Sequence, residues 1–239
     1  MFHDLKDNMV WLLAMSSIPI LFQDEHKIIV EKPSGLLVHR SSKSSDKRFL
    51  LQELRNQLGQ HLYPVHRLDR GVSGVMVFGL SSEAVPSLQD SLTRGSKDYL
   101  ALVMGRVDSP FRVDRELTNE QGLAQPALSE VEPLEVYSKT SLVRVRITTG
   151  RHHQIRRHLS SEAHAILGDT THGKGRINAF FREELGLNRI FLHAWKLRLG
   201  EQEWESSLPQ GLEDVLMRLR HLEQNQKSDE QARCVPLLP

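Results

Sequence analysis

The run LVRVRIT, residues 142–148, followed a few residues later by HQIRRHL, residues 153–159, constrains the fold more than any other stretch. In the first, Val143, Val145 and Ile147 alternate with Arg144 and Arg146, the period-two signature of a strand with one wet face. In the second, Ile155 and Leu159 lie four apart, which places them on one stripe of a helix. A chain that changes period this abruptly packs helices onto a sheet.

The same reading extends along the chain. HKIIVEKPSGLLVH (26–39) reads as a strand, a Pro-Ser-Gly turn and a second short strand. SSKSSDKR (41–48) reads as a polar, basic loop, and FLLQELRNQLG (49–59) as a helix stopped by Gly59. VMVFGL (75–80), KDYLALVMGRV (97–107) and RIFLHAWKLRL (189–199) are expected strands. SSEAVPSLQDSL (81–92) is an expected helix capped by its serines, and GLEDVLMRLRHLEQ (211–224) the closing helix. Strands are too many for a simple doubly wound fold. The class is therefore α/β in the α+β sense, with a mixed, mostly antiparallel sheet and flanking helices. With no internal repeat, the expected organisation is an N-terminal extension (1–18), one domain (19–224) and a disordered polar tail (225–239).

Composition excludes more than it identifies. Lys and Arg number 31 against 30 Asp and Glu, so overall charge names no partner. The single cysteine, Cys234, excludes a disulfide framework and a cysteine-based zinc site, and suits a reducing cytoplasm. The apolar run MVWLLAM (9–15) is far shorter than the roughly 18–20 residues of a membrane span. Its flank is more acidic than basic, unlike a signal peptide, so no membrane association is expected and Met15 is an alternative start.

Chemistry concentrates in VHRLDRGVSG (65–74), where Asp69 lies among His66, Arg67 and Arg70. Taken alone, such a cluster also fits a surface ion pair worth about 0–1 kcal/mol. A second concentration, Arg144, Arg146, Arg151, Arg156 and Arg157 with His152, His153 and His158, suits phosphate contacts as well as a solvated face. No HExxH-type spacing appears, so no metal site is expected.

HRLDRGVSG (66–74), KDYLALVMG (97–105) and GRHHQIRRHL (150–159) occur in the order of three elements of the RluA-type RNA pseudouridine synthases, which the chain resembles. LFQDEHKIIVEKPSGLLVHRS, GDTTHG and GLNRIFLHAWKL make it most similar to the tRNA pseudouridine synthase C branch. The resemblance covers roughly residues 20–215 and implies the pseudouridine synthase catalytic fold with a central cleft. It implies that Asp69 attacks the sugar, or takes a proton from it, and that Arg156 is its guanidinium partner. Tyr99 would stack on the target base, although most strand tyrosines are ordinary aromatics; a proton role for its phenol stays open. Arg67 would fill the space left by a flipped uridine, or alternatively contact a phosphate. Ile155, which also fits a plain core position, would wall the pocket, and His66 and Arg151 complete the substrate-binding set.

Isomerisation adds and removes no atoms and changes no oxidation state, so neither metal nor cofactor is implied. The implied partner is RNA, most similarly tRNA at uridine-65, for a cytoplasmic monomer with no obligatory protein partner. The loop 41–48 and the stretch 174–188 are expected to select the substrate. Gly71 and Val72 depart from the family's Pro-Thr wording, and a looser turn is expected there. Rival readings are the same reaction on ribosomal RNA, an inactive RNA-binding protein, and a hydrolase. The last would call for a second carboxylate, for which neither Asp98 nor Asp169 has a clear claim.

Overall fold

The computed structural model describes residues 17–40 and 45–233, with side chains to residue 225. Most of the expected N-terminal extension, half of the 41–48 loop, and Cys234 lie outside the described residues.

The strands are β1 (Ile20–Gln23), β2 (Lys27–Lys32), β3 (Tyr63–Pro64), β4 (Ser73–Gly79), β5 (Ser96–Met104), β6 (Phe111–Asp114), β7 (Leu117–Thr118), β8 (Ala124–Gln125), β9 (Leu128–Val136), β10 (Thr140–Ile147), β11 (Leu192–Leu199) and β12 (Gln202–Glu205). The helices are α1 (Leu50–Leu58), α2 (Ala84–Arg94), α3 (Gln154–Ser161), α4 (Gly175–Leu185) and α5 (Gln210–Arg233). Ten strands form one sheet along the path β1-β2-β4-β11-β5-β10-β9-β6, with β12 on β11 and β3 on β4. Among the ladders of the described strands β4 with β11 is the one parallel pairing, so the mixed, mostly antiparallel sheet holds.

Period two sorts the sheet's faces. Tyr99, Ala101 and Val103 share one apolar cluster with Val143, Val145 and Ile147, together with Leu50 and Leu54 of α1 and Ile155 and Leu159 of α3. Leu102 and Leu142 point the other way, into a second cluster built on Phe181 and Leu185 of α4 and Leu212, Val215 and Leu216 of α5. Fully burying each such side chain contributes about 1.5–3 kcal/mol, which fixes the register of β5 against β10.

Three local expectations change, and one stretch given no structure in advance acquires one. The second strand of 26–39 is only a bridge from Leu37 to Phe49, because the chain turns into α1 instead of continuing a ladder. The capping serine before α2 acts two residues early: the N–H of Ala84 donates to Ser81 Oγ at 3.2 Å while Glu83 occupies the cap position. The closing helix does not end at Gln224 but runs on to Arg233. The stretch 174–188 is mostly helix α4, with Gly186 in the left-handed conformation (φ 75°) as its stop.

Of the glycines required by close approach, two position the site. A Cβ on Gly74 (φ 120°) would lie 2.1 Å from the carbonyl oxygen of Ala194, where β4 runs beside β11. A Cβ on Gly168 (φ 77°) would lie 2.0 Å from the carbonyl oxygen of Arg189. These approaches draw residues 69–74, 168–169 and 189–194 together.

Candidate active site

Asp69 sits in the turn that feeds β4, directly before the first residues of the parallel pair. That turn is not loose. Val72 N–H donates to Asp69 O (3.1 Å), Ser34 Oγ to Gly71 O (2.8 Å) and Gly35 N–H to Arg70 O (2.8 Å). Lys32 Nζ donates to Val72 O at 2.7 Å and Arg70 O at 3.3 Å. The Pro-Ser-Gly turn and Lys32 thus do the work that a stiffer Pro-Thr pair would otherwise do, and Val72 is buried.

Arg156 reaches Asp69 from the first turn of α3, 87 residues away in sequence. Its Nη1 donates to Asp69 Oδ2 at 2.9 Å, while its Nε and Nη2 donate to Asp169 Oδ2 and Oδ1, both at 2.8 Å. The fork therefore grips Asp169 with two bonds and offers one to Asp69. Burial opposes the charge on Arg156, but the bonds to Asp169 and Asp69 outweigh it and raise its basicity. Burial likewise opposes ionisation of Asp169, yet Arg156 and the N–H groups of His172 and Thr171 hold its carboxyl at about 2. Asp69 Oδ1 carries no hydrogen bond among the described residues, which leaves one carboxylate oxygen open to a reactant.

The loop between β10 and α3 is ordered by one buried amide. Gln154 Oε1 accepts from Arg151 N–H (3.1 Å) and Thr149 Oγ1 (2.8 Å), and its Nε2 donates to Leu128 O (2.9 Å). His153 caps α3 in the left-handed region (φ 53°), stacks on His152 and comes within 3.6 Å of Asp69 Oδ2. Its ring is also 3.2 Å from His172. Burial lowers its pKa to about 4, against the pull of Asp69, so the imidazole is neutral near pH 7.

A cavity of about 280 Å³ opens between these elements. Asp69, Tyr99, Arg156, Arg67, Ile155 and Arg151 all line it, joined by Leu192 from β11. Tyr99 is buried, and burial together with the charge of Asp69 raises its phenol above the usual range. Arg67 is exposed at the mouth. His66 does not line the cavity. Its Nε2 accepts from Val77 N–H at 3.3 Å, and burial, then the charge of Lys97, pushes its pKa to about 3.

The basic stripe divides. Arg146 pairs with Asp98 through two bonds of 2.7 and 2.8 Å, and Arg144 with Glu132. Both arginines lie on the sheet face opposite Val145 and Tyr99, as period two requires, so they cannot join the cavity. His158 is a buried link, with Nδ1 2.9 Å from Ser129 Oγ and Nε2 2.9 Å from Arg115 O. Of the stripe, Arg151, His152, His153 and Arg156 line the cavity. Among the described residues no cluster of three or more His, Cys, Asp or Glu could hold a metal.

Sequence reasoning gave Asp169, Gln154 and His153 no part in the site. Asp169 lies in GDTTHG and the other two in GRHHQIR, segments that carried the resemblance, so the signal was present without a role attached.

One carboxylate with a free oxygen, a guanidinium beside it and an aromatic ring in a small cavity suit an enzyme that works at a sugar–base bond. Comparison with known proteins defines the class. Residues 26–161 match the family model described as RNA pseudouridylate synthase. The tRNA pseudouridine synthase C of Vibrio vulnificus is 40% identical over 206 residues, covering 76% of this chain and 84% of the relative. That of Pasteurella multocida is 38% identical over 206 residues, covering 76% and 85%. Among solved structures, human RNA pseudouridylate synthase domain containing 4 shares the fold at a TM-score of 0.72 and 24% identity, covering 84% of this chain and 93% of that one. The chain belongs to the RNA pseudouridylate synthase family.

Proposed function

We propose that this protein is a tRNA pseudouridine synthase that converts one uridine, uridine-65, and that Asp69 is the group acting on its sugar. The observation carrying this reading is the Asp169–Arg156–Asp69 chain, which presents a paired carboxylate with one unoccupied oxygen to a cavity walled by Tyr99 and Ile155. Paired uridine is inaccessible, so the nucleotide is first extruded, at a cost of a few kcal/mol. Arg67, exposed at the mouth, is placed to fill the vacated space. Asp69 Oδ1 then attacks the sugar, or removes a proton from it, and the C1′–N1 bond breaks with its electron pair leaving on the base. The base turns against Tyr99 and C5 bonds to C1′ as the Asp69–C1′ bond breaks or, on the proton-removal route, as Asp69 returns the proton to the sugar; the C5 proton moves to N1, so all atoms are conserved and Asp69 is regenerated. A phenol held protonated is a poor base near pH 7, so Tyr99 serves by stacking. The relatives' names direct the choice to tRNA rather than ribosomal RNA. We place the protein in the cytoplasm as a monomer acting without a protein partner; among the described residues no helix is long and apolar enough to cross a membrane.

Deleting the gene in its host and mapping pseudouridine in total tRNA and rRNA by carbodiimide-dependent reverse-transcription stops tests this reading. Loss of one tRNA site, restored by the wild type and not by Asp69→Ala, is the expected result. Loss of an rRNA site instead would overturn the substrate, and an unchanged map in a host without a redundant enzyme would overturn the activity.

A further inference from the structure

A second cavity, of about 480 Å³, begins on the other side of Asp69 and Arg156, which line both. Its wall includes Ser34, Arg70, Thr170 and Arg189. Arg189 is largely buried, yet every acceptor it meets is neutral: Ser73 Oγ at 2.8 Å, Leu192 O at 3.2 Å and Ile190 O at 3.3 Å. Directly behind this wall is Lys32, fully buried, whose Nζ donates to Pro33 O (2.8 Å), Arg70 O and Val72 O, again carbonyls only. Among the described residues neither cation has a carboxylate within ion-pair distance.

Burying two cations near each other without an anion is unfavourable, and such an arrangement persists where a ligand supplies the missing charge. The cost is visible in both groups. Burial draws Arg189 down to about 10; burial and then the charge of Arg189 draw Lys32 down to about 7, against the opposing pull of Asp69. The neighbouring carboxylates are engaged. Asp169 is held by Arg156, Asp69 takes the third Arg156 bond, and Asp46 pairs with Arg70 at 3.1 Å. The three carboxylates are thus taken by Arg156 and Arg70, and Arg189 is left without a counter-charge.

We propose that this cavity seats a backbone phosphate of the RNA, the phosphodiester flanking the nucleotide whose sugar meets Asp69, with Arg189 as its principal donor. A phosphodiester carries one negative charge, which supplies the missing counter-charge, and its oxygens meet the Nη1–H groups of Arg189, which none of the three bonds above uses. A furanose ring separates C1′ from its own phosphates by a few bonds, and Asp69 is the wall common to both cavities, so one nucleotide spans them. The seat deepens the pseudouridine synthase reading and rests on it.

The test uses the full chain and the tRNA arm that the wild type converts. Binding is followed by fluorescence anisotropy over a range of salt, in an Asp69→Asn background that leaves the RNA unconverted. The RNA carries a methylphosphonate at the phosphate 5′ or 3′ of the target uridine, with the preceding ribose 2′-deoxy, and a 2′-deoxy phosphodiester as control. Neutralising one of these phosphates should weaken binding several-fold and flatten the dependence of log K on log salt by about 0.7–0.9. Arg189→Gln should do the same, and the two changes together should cost no more than either alone. Multiplying losses, or an unchanged slope with Arg189→Gln, would overturn the seat. Should Arg189→Gln melt early through loss of its Ser73 bond, the methylphosphonate series with Arg189 intact decides: unchanged affinity at both positions overturns the seat. Conversion of the unmodified tRNA pool by the unsubstituted protein is measured in parallel. Conversion with an unaltered salt slope removes only the phosphate seat, whereas no conversion of any tRNA overturns the reading beneath it as well.

Discussion

Asp169→Asn tests the charge chain that positions Arg156. The Asp169 side chain is shielded from solvent and accepts both Nε and Nη2 of Arg156 at 2.8 Å, with Thr171 and His172 N–H groups donating to Oδ1. Asparagine keeps one oxygen and turns the other position into an N–H that faces an N–H of the guanidinium. One charge-assisted bond is lost, about 1.5–3 kcal/mol. Arg156 retains Asp69, so the cost stays below the about 3–5 kcal/mol of a fully orphaned buried charge. At about 2–4 °C per kcal/mol for a chain of this size, Tm should fall by roughly 3–12 °C. Activity measured on folded protein should fall further than stability alone explains. A guanidinium released from one side swings off Asp69, and a displacement near 1 Å costs about 10²-fold. Tritium release from 5-labelled uridine in the substrate RNA should show kcat reduced about 10–100-fold with KM little changed, because Asp169 does not line the base cavity. Unchanged kcat together with an unchanged Tm would show that packing, not Asp169, holds Arg156.

Three further outcomes follow from the geometry. Tyr99→Phe keeps the ring and should bind substrate like the wild type, whereas Tyr99→Leu should lose about 1–3 kcal/mol of base stacking, read in Kd; equal affinities would remove stacking from the account. His66 and His153 titrate near 3 and 4 in the folded chain against 6.5 ordinarily, so between those values the unfolded state binds protons that the native state refuses. Stability is therefore full above pH 6.5 and declines as pH falls toward 4 and then 3, and a Tm that stays level from pH 7 to about 4.5 would contradict both burials. Gly74→Ala puts a methyl 2.1 Å from the Ala194 carbonyl at a φ of 120°, and should cost on the order of 4 kcal/mol or more in thermal or urea unfolding; a wild-type transition would disprove the close approach.

Local signals announced the elements whose apolar residues keep a strict period. β10, β5 and α1 appear where alternation or fourfold spacing placed them. The region 111–136 was not legible because its strands are short or interrupted: LSEVEPLEV carries Pro133, and β9 accommodates it at the bulge where the register against β10 shifts. The extension of α5 to Arg233 was hidden because NQKSDEQAR has no apolar face to reveal a helix. Asp69, Tyr99 and Arg156 line one cavity, and each stood out in the sequence because it lies in a distinctive motif. Asp169 and Arg189 were missed because their meaning is a charge balance across the fold, which spacing along the chain does not encode. Lys32 was partly readable. It follows Ile28 and Val30 at intervals of two, so the pattern that buries those residues also buries a lysine.

The geometry of Arg156 also explains why two carboxylates, rather than one, attend it. In the role proposed for it, Asp69 must carry charge inside a partly closed cavity and still present an oxygen that nothing else holds. If Arg156 gripped Asp69 with both arms of its fork, the carboxylate would be well paired and both oxygens engaged. Asp169 takes the two-bond grip instead and fixes the plane of the guanidinium, so a single Nη1–H meets Asp69 Oδ2 at 2.9 Å and Oδ1 remains open. Lys32 adds long-range attraction to Asp69 without touching it, because two of its hydrogen bonds go to the turn that carries Asp69 and the third to Pro33 O. Charge stabilisation and positional stiffness thus come from different partners, and neither occupies the oxygen that the reaction needs.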